Sequence, residues 1–120
     1  MWYACIKEDT LFQDTISKIE ENIRDAKSID EAKKTELLGL VGSLKKEVLD
    51  LSSTNKEDAE TVANFTKTST HEAIKTEKNK SLFDLSLKGL SESVAKFEVS
   101  HPDLVATVNS ICVSLSNSGF

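Results

Sequence analysis

A chain of 120 residues has room for one domain with a modest core. Hydrophobic residues make up 38%, charged residues 29%, and proline appears once, a balance that favours elongated or oligomeric helices over a thick globule. The net charge of −5 opposes contact with a polyphosphate backbone or an anionic lipid surface, so neither nucleic acid nor membrane is an expected partner.

The opening Met1-Trp2-Tyr3-Ala4-Cys5-Ile6 is apolar, but it lacks a basic start and is shorter than the roughly 7–15 residues of an export-signal core. Ala4-Cys5 is similar to the end of a lipoprotein processing site without the hydrophobic stretch that precedes one. No apolar run approaches the roughly 18 residues of a membrane-spanning helix, and the expected location is the cytoplasm, with Cys5 and Cys112 as reduced thiols. Trp2 and Tyr3 read as an aromatic pair that either docks on another subunit or caps its own bundle.

The first helix is expected over residues 8–27, where Phe12, Ile16, Ile19, Ile23 and Ala26 alternate spacings of four and three, as in a coiled-coil seam. Ser28-Ile29-Asp30-Glu31 then fits a capping box, with Ser28 as the cap and Glu31 reaching back. A second helix to about Leu51 carries Leu37, Val41, Leu44, Val48 and Leu51 at the same spacing. Leu37, Val41, Leu44 and Val48 are read as a candidate interaction surface, because two helices with broad stripes leave apolar area uncovered. Gly39 and Gly42 interrupt it, each costing about 1 kcal/mol against Ala, and either admit a neighbouring helix or are merely tolerated.

Ser52-Ser53-Thr54-Asn55 breaks the pattern, with Thr54 or Asn55 as the next cap. From Ala59 to Lys80 the stripe is thin. Val62, Ala63, Ala73 and Ile74 are apolar, but Thr66, Ser69 and Thr70 stand where a packed core takes Leu or Ile, so residues 52–80 read as a polar connecting helix or linker. With no Gly or Pro to interrupt it, the helix is expected to run on to Glu98, with Asn79-Lys80-Ser81 and Asp84 as the alternative restart.

Phe83, Leu87, Leu90, Val94 and Phe97 restore a strong stripe, and Leu104, Val108, Ile111 and Leu115 make another beyond the only proline. Between them, Ser100 or His101 is expected as N-cap, Pro102 in the first turn and Asp103 near the positive end of the dipole. Gly119 is the expected C-terminal cap, with Phe120 folding back on the last turn. The fold class is therefore all-α: one domain of about four helices in two antiparallel hairpins, residues 8–51 and 81–120, with bundle or coiled-coil-like packing.

The run Phe97-Glu98-Val99-Ser100-His101-Pro102-Asp103-Leu104, followed by a small-and-aliphatic helix closing on Ser118-Gly119-Phe120, resembles a family of short acidic bacterial proteins classed as a domain of unknown function. In that family a helix ending in Phe-Glu-x-x-His-Pro-x-Leu leads to the last helix. Residues 52–80 look longer than the usual connection, and Phe120 stands where an aliphatic residue is more usual. The resemblance implies a helical fold and no catalytic residues.

Chemical readings find little support. Ser100, His101 and Asp103 have the letters of a hydrolase triad, but neighbours at one helix start do not make the tertiary relay that a triad requires. The i+4 neighbour of His71 is Lys75, so His71-Glu72 lacks the second histidine of a zinc helix. There is no phosphate loop, no Cys-x-x-Cys and no basic track interleaved with aromatics. Catalysis, cofactor and metal are not expected. The expected function is that of a structural or interaction module that self-associates into a homodimer or higher homo-oligomer, or docks a helical protein partner. The alternative is a regulatory module that binds a small molecule or metal in a cleft between the hairpins near His101 and Cys112.

Overall fold

The amphipathic stripes form helices that fold back on one another. The computed structural model describes the backbone of residues 2–118 and the side chains of residues 12–118. Five α-helices follow in order: α1 (Trp2–Asp25), α2 (Glu31–Ser52), α3 (Lys56–Ile74), α4 (Lys80–Val94) and α5 (Pro102–Ser116), with a single 3₁₀ turn at Ala95–Phe97 before α5. No strand occurs among the described residues. α2, α3, α4 and α5 close a four-helix arrangement, and α1 lies along the outer groove between α2 and α3. The radius of gyration of 14.0 Å is close to the roughly 14 Å of a compact chain of this length, so the elongated shape expected from composition is not the one adopted.

The predicted stripes are the core. Phe12, Ile16, Ile19 and Ile23 of α1 are at most 1% exposed. Leu37, Val41, Leu44, Val48 and Leu51 of α2 are equally buried, as are Leu104, Val108, Ile111 and Leu115 of α5. Full burial of such a side chain contributes about 1.5–3 kcal/mol, so these rows dominate the favourable term.

Residues 56–74 depart most from the sequence reading. α3 is no linker: it packs against α1, α2 and α4 at the centre of the molecule. Its inward positions are Ala59, Val62, Ala63, Thr66, Ser69, Thr70 and Ala73, all at most 1% exposed. A helix covered on three sides fits only if its side chains are short, because interaxial distances shrink with the residues at the contact. Thr66 tolerates burial by donating its hydroxyl to the Val62 carbonyl at 2.8 Å. Ser69 Oγ is buried and finds no hydrogen-bond partner among the described residues.

α3 also stops at Ile74, which corrects the expected continuous helix to Glu98. Lys75 turns extended at φ −68°, ψ 156°. The freed carbonyls of the last turn are taken up from outside: the Ser28 hydroxyl donates to Ile74 O at 2.8 Å, and Lys78 Nζ to Ala73 O. Asn79 then caps α4, accepting from Leu82 N at 3.1 Å. A straight helix over residues 56–98 would be about 60 Å long and would strand the Phe83, Leu90 and Val94 stripe in water. The break folds that stripe back onto α3.

Ser28 thus works as a staple to α3, and the cap of α2 is Asp30, whose carboxylate accepts from Lys33 N at 2.8 Å. Asn55 holds the N-cap position of α3 without a side-chain capping bond. At the other bend, His101 occupies the N-cap position of α5 with Pro102 first in the helix and Asp103 in the first turn, but its ring is not the cap. Instead the ring packs edge-on against Phe97, with centroids 5.6 Å apart.

Candidate functional site

The surface that stands out lies along the antiparallel pair α2 and α5. Their register is set by a clasp. Lys33 Nζ reaches Glu36 Oε2 at 3.2 Å and the Ser114 carbonyl at 3.3 Å, while the buried Ser114 hydroxyl donates to the Glu36 carboxylate. The Ser114 hydrogen bond, then Lys33, holds the Glu36 carboxyl below its ordinary pKa. Around the clasp the pair carries an open groove of about 730 Å³, lined by Glu36 and Ser114 themselves and by Thr35, Gly39, Leu40, Ser43, Asn109, Ser110, Val113 and Asn117.

The groove is open because the side chains along it are short. A Cβ placed on Gly39 or Gly42 would meet nothing within 4 Å. It is also nearly without charge. From Leu104 to Ser118 the sequence has no acidic or basic residue, and the exposed positions of this stretch are Ala106, Asn109, Ser110, Val113, Ser116 and Asn117. Val113 is 61% exposed in the middle of this row. On α2, the exposed residues of the same face are Ala32, Thr35, Gly39, Gly42 and Ser43, with Glu36, Lys46 and, near the helix end, Asp50 as its charges. In a chain with 29% charged residues, the composition predicts charges on both helices, and it is the α5 side of this face where they are missing.

The residues expected as an interaction surface are placed elsewhere. Leu37, Val41, Leu44 and Val48 are buried inside the one chain, covered by its own helices, so they are corrected from docking surface to core. The side chains of Trp2 and Tyr3, and the whole of Gly119, lie outside the described residues. The face itself leaves only a weak trace in the sequence: Gly39 and Gly42 on one helix, and a charge-free run on another, which nothing in the sequence says are neighbours.

A second, smaller apolar surface lies on the opposite pair of helices. Phe65 of α3 lies across Gly89 of α4, so close that an added Cβ would stand 2.2 Å from its ring. Leu82 and Leu85, two turns and one turn before Gly89, are 47% and 64% exposed.

The groups suggestive of chemistry are spread out. Ser100 Oγ lies 3.0 Å from His101 Nδ1, and the carboxylate facing the other ring nitrogen is that of Asp50, not Asp103. Asp50 is 3.8 Å from Nε2, beyond hydrogen-bond distance, with its side chain 72% exposed, unlike the buried carboxylate that orients a catalytic histidine. Cys112 is a free, half-buried thiol beside Ser91 Oγ at 3.9 Å, and burial pushes its pKa up, which lowers its reactivity. It stands eleven residues along the chain from His101, about 16 Å by helix rise. Among the described residues no three His, Cys, Asp or Glu side chains are grouped to hold a metal ion, and no helix is long and apolar enough to cross a membrane.

A family model described as a domain of unknown function (DUF4404) matches residues 40–120, more than half of the chain. The matched part holds the second half of α2 and all of α3, α4 and α5, including the whole α5 side of the groove. No curated protein and no solved structure matches the chain.

Proposed function

Since the chain belongs to this family of unknown function, membership brings no activity with it, and we propose that the protein is a helical interaction module that works by associating with another helical surface, in the first place a second copy of itself. The observation that carries this reading is the small-residue face across α2 and α5, which holds few charges. Solvent-exposed helix faces in a charged protein ordinarily carry Lys and Glu, which keep copies apart; a face with few of them is suited to close approach. A symmetric homodimer is the simplest assembly, because one self-complementary patch serves both subunits. A cytoplasmic location goes with this reading, supported by the free thiol of Cys112.

Sedimentation velocity over a micromolar concentration range tests the proposal. The expected result is a weight-average sedimentation coefficient that rises with concentration towards that of a dimer. A single species of monomer mass throughout would overturn it.

A further inference from the structure

Resting on that reading, the charges at the ends of the α2 face point to one mode of pairing. We infer that two copies dock face to face through α2 and α5 about a two-fold axis level with Val41, with α2 antiparallel to the partner's α2. Glu36 and Lys46 stand five residues to either side of Val41. An axis at that level sets Glu36 against the partner's Lys46 and Lys46 against the partner's Glu36. The same register puts Gly39 opposite the partner's Ser43 and Gly42 opposite the partner's Leu40.

At about 100° per residue, Glu36, Gly39, Gly42, Ser43 and Lys46 fall within about a third of the helix circumference, so all five face the partner together. A parallel pairing would set Glu36 against Glu36 and Lys46 against Lys46. The antiparallel pairing turns the only two charges among these five positions into two attractive contacts. The Lys33 and Ser114 bonds are both made to Oε2 of Glu36, and Oε1 of that exposed side chain has acceptor capacity for an incoming ammonium. Gly39 and Gly42 let the helix axes approach, since nothing of their own chain occupies the space in front of them. The same symmetry lays α5 over the partner's α5, where Asn109, Ser110 and Val113 bring no like charges together despite a net charge of −5 on each subunit.

The test measures the dimer dissociation constant by sedimentation equilibrium at low ionic strength, for wild type, Lys46→Glu, Glu36→Lys, the double variant and Gly39→Leu. Each reversal alters two symmetry-related contacts and is expected to weaken the dimer about tenfold, with the double variant returning close to wild type. Gly39→Leu is expected to weaken it about a hundredfold while the monomer melts no lower than wild type, because a Cβ at this exposed position meets nothing within 4 Å and leucine has the higher helix propensity. Glu36→Lys also breaks the clasp to Ser114; Lys46→Glu and Gly39→Leu leave that clasp intact and carry the test if Glu36→Lys fails to fold. A dimer that tolerates Gly39→Leu, or a double variant that stays as weak as the single ones, overturns this pairing and leaves self-association standing. A wild-type monomer at every concentration overturns both.

Discussion

Gly89 is occupied by absence: the Phe65 ring fills the place of its side chain. In most helix interiors Gly→Ala is stabilising by about 1 kcal/mol through helix propensity. Here the added methyl would overlap the ring, which must swing into water and give up its contact with α4. Gly89→Ala is therefore expected to destabilise the fold by about 1–2 kcal/mol, and to become stabilising by about 1 kcal/mol in a Phe65→Ala background. A double-mutant cycle by urea denaturation reads this directly; a favourable Gly89→Ala in both backgrounds would show that the ring is not held there. Gly39 and Gly42 look identical to Gly89 as letters in a helical pattern. What distinguishes them is a neighbour from another helix, which only the folded chain supplies.

In α1, α2, α4 and α5 the stripes are legible in the sequence, whereas several helix ends are not. The spacing of Phe12, Ile16, Ile19 and Ile23 is buried as read. The stop after Ile74 was not legible, because its donors come from Ser28, 46 residues earlier, and from the side chain of Lys78 across the turn. Asn79 did offer a restart, and its carboxamide now carries the N-terminus of α4. Asn79→Ala is expected to cost about 1 kcal/mol, within the range of about 0.5–2 for a lost N-cap, and Asn79→Asp to keep most of it. The check is thermal unfolding of both variants, with equal losses for Ala and Asp counting against a capping role. Asp30 in place of Ser28 as the cap of α2 follows the same logic, since the Ser28 hydroxyl is drawn to a carbonyl only tertiary folding brings near.

On the scale of the whole molecule, α3 reverses the usual inference from polarity. Thr66, Ser69 and Thr70 read as solvated because a hydroxyl in a core has a desolvation cost. They are buried because a helix enclosed by α1, α2 and α4 has room only for short side chains, and a threonine hydroxyl can be satisfied by its own helix. Ser69 tests this. Ser69→Ala removes a buried hydroxyl that has no partner among the described residues and is expected to be neutral or stabilising by up to about 1 kcal/mol, whereas Ser69→Leu is expected to cost about 3 kcal/mol or more by forcing the surrounding helices apart. Chemical denaturation measures both, and a tolerated leucine would mean that α3 is not tightly enclosed.

The sequence by itself determined the class of this protein. Periodic apolar residues at three and four spacing leave a chain no stable option but helices buried against helices, and the 3.6-residue repeat is a local property that needs no knowledge of the neighbours. It also marked Pro102 as the start of the last helix, since proline constrains its own backbone and that of the residue before it. The tertiary structure alone decided which stripes meet, and so which surfaces remain. Leu37, Val41, Leu44 and Val48 are used up in the core, while Gly39, Gly42 and the uncharged side of α5 are left facing outward together. Adjacency between α2 and α5 is a long-range fact, set by the summed burial of every helix, and no local pattern in either helix encodes it.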